Sequence, residues 1–316
     1  MQIKSVSPAI TLFAVPLALA LAPTLSAVVK PSQAAAAPVS TTELNQARTW
    51  GYQLQNIRPD RIVNTDLDVV VIDYSSDGTA EGIFSRATID NLKHKPDGSR
   101  RIVLAYLSVG EAEDYRFYWD AAWSDVPPDW LMPENPEWPG NFPVRYWDSD
   151  WQNLIFATPG SYIDHIIGAG FDGVYLDRVD AFDLPDRNLT LDERKRWMVK
   201  LVTALAQHAR AFDPDFLIIP QNGEELLTDP VYVATINGLG KEDLFFGVDG
   251  DGIRNHASDI RASLNLISNL TRAGKPVFLV EYLTRRDDII MTRIDADKLG
   301  MPLFIGSRPL DQIQSR

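Results

Sequence analysis

Six short apolar runs in this chain are each followed by a carboxylate. The sequence reads Asp73-Tyr74 after Val69-Val-Val-Ile72, and Glu111 soon after Tyr106-Leu107. Asp177 and Asp180 follow Tyr175-Leu176, and Gln221-Asn222-Gly-Glu224 follows Ile218-Ile-Pro220. Lys241-Glu242-Asp243 stands in the sixth region, and Glu281-Tyr282 follows Phe278-Leu-Val280. A carboxylate at the end of a buried strand is costly unless it is paired, hydrated or used. The chain has no cysteine and only four histidines, His94, His165, His208 and His256, all in helix-patterned or loop segments. Thiolate chemistry and thiolate metal sites are therefore excluded, and histidine-ligated metal catalysis is disfavoured. A ring of carboxylates leaves two chemistries open: a hard divalent metal held by oxygen ligands, or a protonated carboxyl acting with an ionised one. The second is the division of labour that glycoside hydrolysis needs, and mutual repulsion supplies the splitting of proton affinities.

Such a ring has to be positioned by parallel strands that end on one rim. Eight β-prone runs are legible: 50–54, 69–74, 102–107, 173–176, 216–220, 243–247, 276–282 and 302–306. Between them, apolar residues at helical spacing predict helices over 158–169, 191–212, 255–273 and 287–299. Strand and helix alternate, and runs such as Val69–Ile72 are apolar throughout, as strands buried on both faces are. The fold class is α/β, a single (β/α)8 TIM barrel over residues 49–316, with a doubly wound open sheet as the alternative. No G-x-G-x-x-G, P-loop or G-x-S-x-G motif occurs, which removes the usual signatures of nucleotide binding and serine hydrolysis. Asp249-Gly-Asp-Gly252 lacks the further ligands of a calcium loop and reads as turn chemistry.

The connection after the third strand is too long for an ordinary loop. It carries six of the eight tryptophans, at 119, 123, 130, 138, 147 and 151. Over a barrel mouth these indoles either stack on ligand faces or hold an irregular loop together. At the N-terminus a basic start, an apolar run over 9–29 and Ala34–Ala37 give a signal peptide over residues 1–36, followed by a linker over 37–48. A secreted protein, extracellular or periplasmic, with no stable membrane insertion after cleavage is expected. With 43 acidic residues against 30 Lys and Arg, nucleic acid is a poor partner and a cationic ligand is favoured.

Three segments, Tyr106-Leu-Ser-Val-Gly-Glu-Ala-Glu-Asp-Tyr-Arg116, Gly170-Phe-Asp-Gly-Val-Tyr-Leu-Asp-Arg-Val-Asp180 and Pro220-Gln-Asn-Gly-Glu-Glu225, resemble glycoside hydrolase family 114. These are the endo-α-1,4-polygalactosaminidase-like barrels related to spherulin-4-type proteins. The resemblance runs from Trp50 to Arg308. It implies cleavage of internal α-1,4 linkages in a galactosamine-containing polysaccharide, without metal or organic cofactor. Asp177 matches the family's nucleophile and Glu242 its general acid/base, with Glu224 and Glu111 as alternatives for the second role. Asp73, Tyr106, Glu111, Asp180, Asn222, Glu224, Glu281 and Tyr282 would line the substrate site, facing a cationic amino-sugar polymer. Two other classes share the same rim: a glycan-binding barrel without turnover, and a divalent-metal hydrolase.

Overall fold

The computed structural model describes residues 41–313; the signal-peptide segment lies outside them. Part of the span 37–48 read as a linker is structured, because Thr41–Gln46 is a helix whose Leu44 is fully buried. Eight parallel strands make the barrel. β1 (Trp50–Gln53), β2 (Val69–Ile72), β3 (Ile102–Ser108), β4 (Gly173–Asp177) and β5 (Leu217–Pro220) pair in chain order. β6 (Leu239–Glu242), β7 (Val277–Glu281) and β8 (Leu303–Ile305) form a second parallel set. Gln221 bridges to Gly240 between β5 and β6, and the Asn237 amide donates to the Ile218 carbonyl at 2.8 Å. At the other seam the Leu54 amide donates to Leu310 at 2.8 Å, and the Trp50 indole donates to the Leu279 carbonyl at 3.0 Å.

Strand side chains alternate between two separate cores, as a pleat of period two requires. Trp50, Tyr52, Val69, Val71, Leu104, Tyr106, Tyr175, Ile219, Phe278, Val280 and Phe304 fill the lumen, where Leu44 also packs. Val70, Ile72, Val103, Leu107, Val174, Leu176, Ile218, Leu239, Val277, Leu279 and Ile305 face the helices. β6 contributes Gly240 to the lumen. A Cβ there would lie 2.0 Å from the Tyr175 hydroxyl oxygen, so the missing side chain makes room for the phenol.

The sixth strand is not the run 243–247. It is Leu239–Glu242, one of whose inward positions is Gly240 and whose Lys241 and Glu242 are charged, so no apolar run marks it. Leu244, Phe245 and Phe246 are bulky because they anchor the following loop in the outer core, and Phe246–Gly247 pairs with Gly250–Arg254 as a hairpin. Glu242 therefore stands at the carboxyl end of its strand, where barrel active sites form.

The segment leading into β4 shows how its sequence works. Helix Tyr162–Ala169 stops at Gly170, which takes the left-handed conformation with φ 88°. Phe171 then enters the core, and the buried Asp172 accepts from the Val103 amide at 2.9 Å while pairing with Lys93 and Arg100, each at 2.8 Å. At Gly173 a Cβ would sit 2.3 Å from the Leu217 carbonyl oxygen, so only glycine allows this close approach to β5. Val174 and Leu176 then face outward, and Tyr175 and Asp177 face inward.

In the long connection after β3, Glu111–Glu113 pairs antiparallel with Asn141–Pro143. Trp119, Trp123, Trp130 and Trp151 pack in series with successive centroids 5.2, 5.1 and 5.2 Å apart. These indoles hold the loop together, and the Trp151 indole N–H ties it to the Val109 carbonyl at 3.0 Å. No helix among the described residues is long and apolar enough to cross a membrane.

Candidate active site

A cleft of about 630 Å³ opens over the carboxyl ends of the strands. Its floor holds three inward-facing polar residues from neighbouring strand ends, Asp177, Gln221 and Glu242. The Gln221 side-chain amide donates from one nitrogen to both carboxylates, at 3.2 Å to Asp177 Oδ1 and 3.1 Å to Glu242 Oε2. Asp177 accepts two more hydrogen bonds, from the Tyr106 hydroxyl at 2.8 Å and the Arg178 backbone amide at 2.8 Å. Glu242 accepts from the Tyr282 hydroxyl at 2.5 Å, and its own amide donates to Asn222 Oδ1 at 3.0 Å.

Each of the three is followed by a non-glycine residue with left-handed backbone: Arg178 at φ 60°, Asn222 at φ 56° and Asp243 at φ 54°. That conformation costs roughly 1–2 kcal/mol for an ordinary residue with a Cβ such as Arg178, and less for Asn and Asp; strain of this kind gathers at functional sites. It turns the chain sharply as soon as the polar side chain has been delivered to the lumen.

The electrostatics divide the pair. Burial pushes the Asp177 carboxyl up to about 7, aided by repulsion from Glu242 and Asp180 and opposed by the Tyr106 hydrogen bond and Arg178. Asp177 therefore keeps its proton up to near neutrality. Across the whole cleft seven carboxylates, Asp73, Asp77, Glu111, Glu113, Asp177, Asp180 and Glu242, face three arginines, Arg116, Arg178 and Arg308. The field favours a cationic occupant.

Eight of the ten residues singled out from the sequence line this cleft: Asp73, Tyr106, Glu111, Asp177, Asp180, Asn222, Glu242 and Tyr282. Asp73 is also paired with the buried Arg116 at 2.8 Å. Glu111 is 2% exposed, and it accepts from Asn135 at 3.0 Å and pairs with Arg178 at 3.2 Å. The other two do not reach it. Glu281 has the parity opposite to Tyr282 and points to the helix side, where it accepts the Phe245 and Phe246 amides at 2.7 and 3.2 Å. Burial pushes its carboxyl up to about 8, against those two amides. Glu224 pairs with Lys241 at 3.1 Å and accepts from Ser263 at 2.5 Å, outside the cleft lining. Both carboxylates hold the loops that follow β5 and β6.

Sequence reasoning passed over Gln221, Tyr52, Arg178 and Arg308, which also line the cleft with Trp138. Trp138 is the tryptophan of the long connection that stands at the cleft wall, 52% exposed. Arg308 lies over the Tyr282 ring at 4.3 Å and pairs with Asp243 at 2.9 Å and Asp251 at 2.7 Å, joining the hairpin to the cleft. Asp251 thus works in an ion pair from the second strand of that hairpin. Among the described residues no group of three or more His, Asp or Glu side chains has metal-holding geometry.

Residues 30–305 match the model of glycoside-hydrolase family GH114. An uncharacterised protein of Methanocaldococcus jannaschii is 40% identical over 251 residues, 78% of this chain and 69% of that protein. One from Thermotoga maritima is 37% identical over 243 residues, 76% of this chain and 72% of its own. Among solved structures, the glycoside hydrolase domain of PelA from Pseudomonas aeruginosa superposes with a TM-score of 0.65 at 18% identity, covering 85% of this chain and 98% of that domain. Aspergillus fumigatus Ega3, solved in complex with galactosamine, superposes with a TM-score of 0.60 at 19% identity, covering 91% and 100%.

Proposed function

The chain belongs to glycoside-hydrolase family GH114, and on that premise we propose that it is an endo-acting glycosidase cleaving α-1,4 linkages in a galactosamine-containing polysaccharide. The observation that carries this reading is the carboxylate pair Asp177 and Glu242, bridged by one amide at the floor of an acidic cleft. Excess negative charge in the cleft suits a polymer bearing ammonium groups, and galactosamine is the sugar bound by the structurally similar Ega3.

In the proposed reaction Asp177 attacks the anomeric carbon while Glu242 gives its proton to the departing glycosidic oxygen. Water then enters, loses a proton to Glu242 and displaces the sugar from Asp177, restoring both groups. Three donors on Asp177 support its ionised form. A substrate ammonium group seated nearer Asp177 than Glu242 would favour the ionised aspartate and leave the proton to Glu242. The longer glutamate side chain suits the reach to a leaving oxygen. Export follows from residues 1–36 acting as a cleaved signal, which N-terminal sequencing of the protein recovered from outside the cell tests.

The test is a reducing-end assay of the purified protein on partly deacetylated α-1,4-galactosamine polymer, with chitosan and polygalacturonate alongside. Short oligomers released from the first polymer alone are expected. Binding without cleavage would make this a glycan-binding barrel, and activity lost to EDTA and restored by Mg²⁺ or Ca²⁺ would make it a metal hydrolase.

Stereochemistry supplies a second expectation. A single amide nitrogen 3.2 Å from Asp177 Oδ1 and 3.1 Å from Glu242 Oε2 keeps those two oxygens short of the ~6.5–9.5 Å of inverting pairs, which favours the retaining arrangement of ~5–5.5 Å. Proton NMR of a fresh digest should show the α-anomer first, with β appearing only by mutarotation. Initial release of the β-anomer would rule out Asp177 as a nucleophile.

A further inference from the structure

We propose that Gln221 is the positioning residue of this site: its single amide group fixes the separation of Asp177 and Glu242 and steadies whichever of them is ionised. The proposal rests on the glycosidase reading for its kinetic consequences but on geometry for its substance.

Four observations meet at this residue. Gln221 is 5% exposed at the end of β5, and its nitrogen is the one side-chain donor that the two carboxylates share. Its amide orientation follows the charge of the pair, since turning it over would set the carbonyl oxygen against whichever carboxylate is ionised. In the orientation adopted, Oε1 is buried without a hydrogen-bond partner. A buried amide kept for architecture has both ends satisfied, whereas this one leaves its acceptor unpaired and spends its donor wholly on the pair. Finally, Gln221 shares with Asp177 and Glu242 the left-handed residue that follows each of them. Its backbone is pinned on both sides, by its amide to the Leu176 carbonyl at 2.7 Å and by the bridge to Gly240.

This arrangement suits a double-displacement cycle. Negative charge begins on Asp177, passes to Glu242 when Asp177 becomes esterified, and returns on hydrolysis. A donor touching both carboxylates stabilises each ionised state without moving, so no reorganisation is needed as the charge shifts. The other donors serve one side each, Tyr106 for Asp177 and Tyr282 for Glu242.

The test is Gln221→Met, close in volume and without a donor. Removing the amide disfavours the ionised form of Asp177, so its titration moves upward. The expected result is a ¹³C-NMR titration of the Asp177 carboxyl displaced by about one pH unit or more above its starting value near 7. On the galactosamine polymer, the acid limb of kcat/KM should move by the same amount, and kcat should fall about 10- to 100-fold with KM little changed. A folded variant with unchanged titration and pH profile overturns the proposal, whatever its melting temperature, because a merely architectural residue would alter stability alone. If the variant does not fold, the isosteric Gln221→Glu replaces it. An acceptor in that place should raise the Asp177 titration further, and an unchanged titration again overturns the proposal. The titration needs no substrate, so a wild-type protein inactive on every polymer would refute the functional reading while leaving the role of Gln221 open to direct measurement.

Discussion

Asp177→Asn is expected to lower kcat/KM on the galactosamine polymer by about 10⁴-fold or more while making the folded protein more stable at pH 8. The two effects share one cause. The Asp177 carboxyl is raised from the ordinary 3.8 to about 7 by burial and by the neighbouring Glu242 and Asp180. Because its proton affinity is higher folded than unfolded, the protonated group favours the fold below pH 4, and that contribution is lost as pH rises through 7. The lost contribution is worth about 1.4 kcal/mol per unit of displacement. Asparagine carries no charge at any pH. The stability of Asp177→Asn relative to wild type should therefore grow between pH 4 and 7 and level off above. Urea unfolding at pH 4, 6 and 8 with parallel kinetics checks both parts. A variant that keeps several per cent of turnover, or that is less stable at pH 8, removes Asp177 from the role assigned to it.

The largest loss of stability is expected at Arg116. Its side chain is buried in the wall of the cleft, pairing with Asp73 at 2.8 Å and Glu113 at 2.5 Å. The guanidinium also lies 4.9 to 6.0 Å from the ring centres of Tyr74, Tyr106, Tyr115 and Tyr162. Arg116→Met leaves two buried carboxylates without their cation, and breaking one such buried pair costs about 3–5 kcal/mol. Urea denaturation should show a loss at least that large near neutral pH, shrinking as the pH falls and the orphaned carboxylates take up protons. Adding Asp73→Asn and Glu113→Gln should recover a good part of it. A loss below about 1 kcal/mol would mean that solvent reaches the triad.

Much of the barrel was legible because buried parallel strands advertise themselves as apolar runs: Val69–Ile72, Ile102–Leu107 and Phe278–Val280 all stand where they were read. β6 was not, because one of its inward positions is Gly240, left without a side chain for Tyr175, and the next is the charged Glu242. The nearby phenylalanines drew the strand four residues downstream. Carboxylates could be counted in the sequence, yet their direction could not. Glu281 and Tyr282 are neighbours in the chain, and only the pleat decides that the tyrosine meets Glu242 while the glutamate fastens the backbone of Phe245 and Phe246. Gln221 was passed over for a different reason. A search for groups that titrate does not register an uncharged amide, although its position after Ile219-Pro220 on a strand end was visible.

The alternation of the strands also bears on how this site can change over time. A point substitution at Glu242 or Tyr282 alters one functional group and leaves the rest in place, so such changes are graded. A one-residue deletion in Leu239–Glu242 is different in kind, because it would turn Lys241 into the lumen against Tyr175 and send the Glu242 carboxylate to the helix side. The cleft is thus encoded in steps of two residues, with strand length acting as a reading frame. Divergence within this architecture has to proceed by replacing side chains in frame or by growing loops such as 109–172 beyond the strand ends, where an extra residue shifts nothing in the lumen.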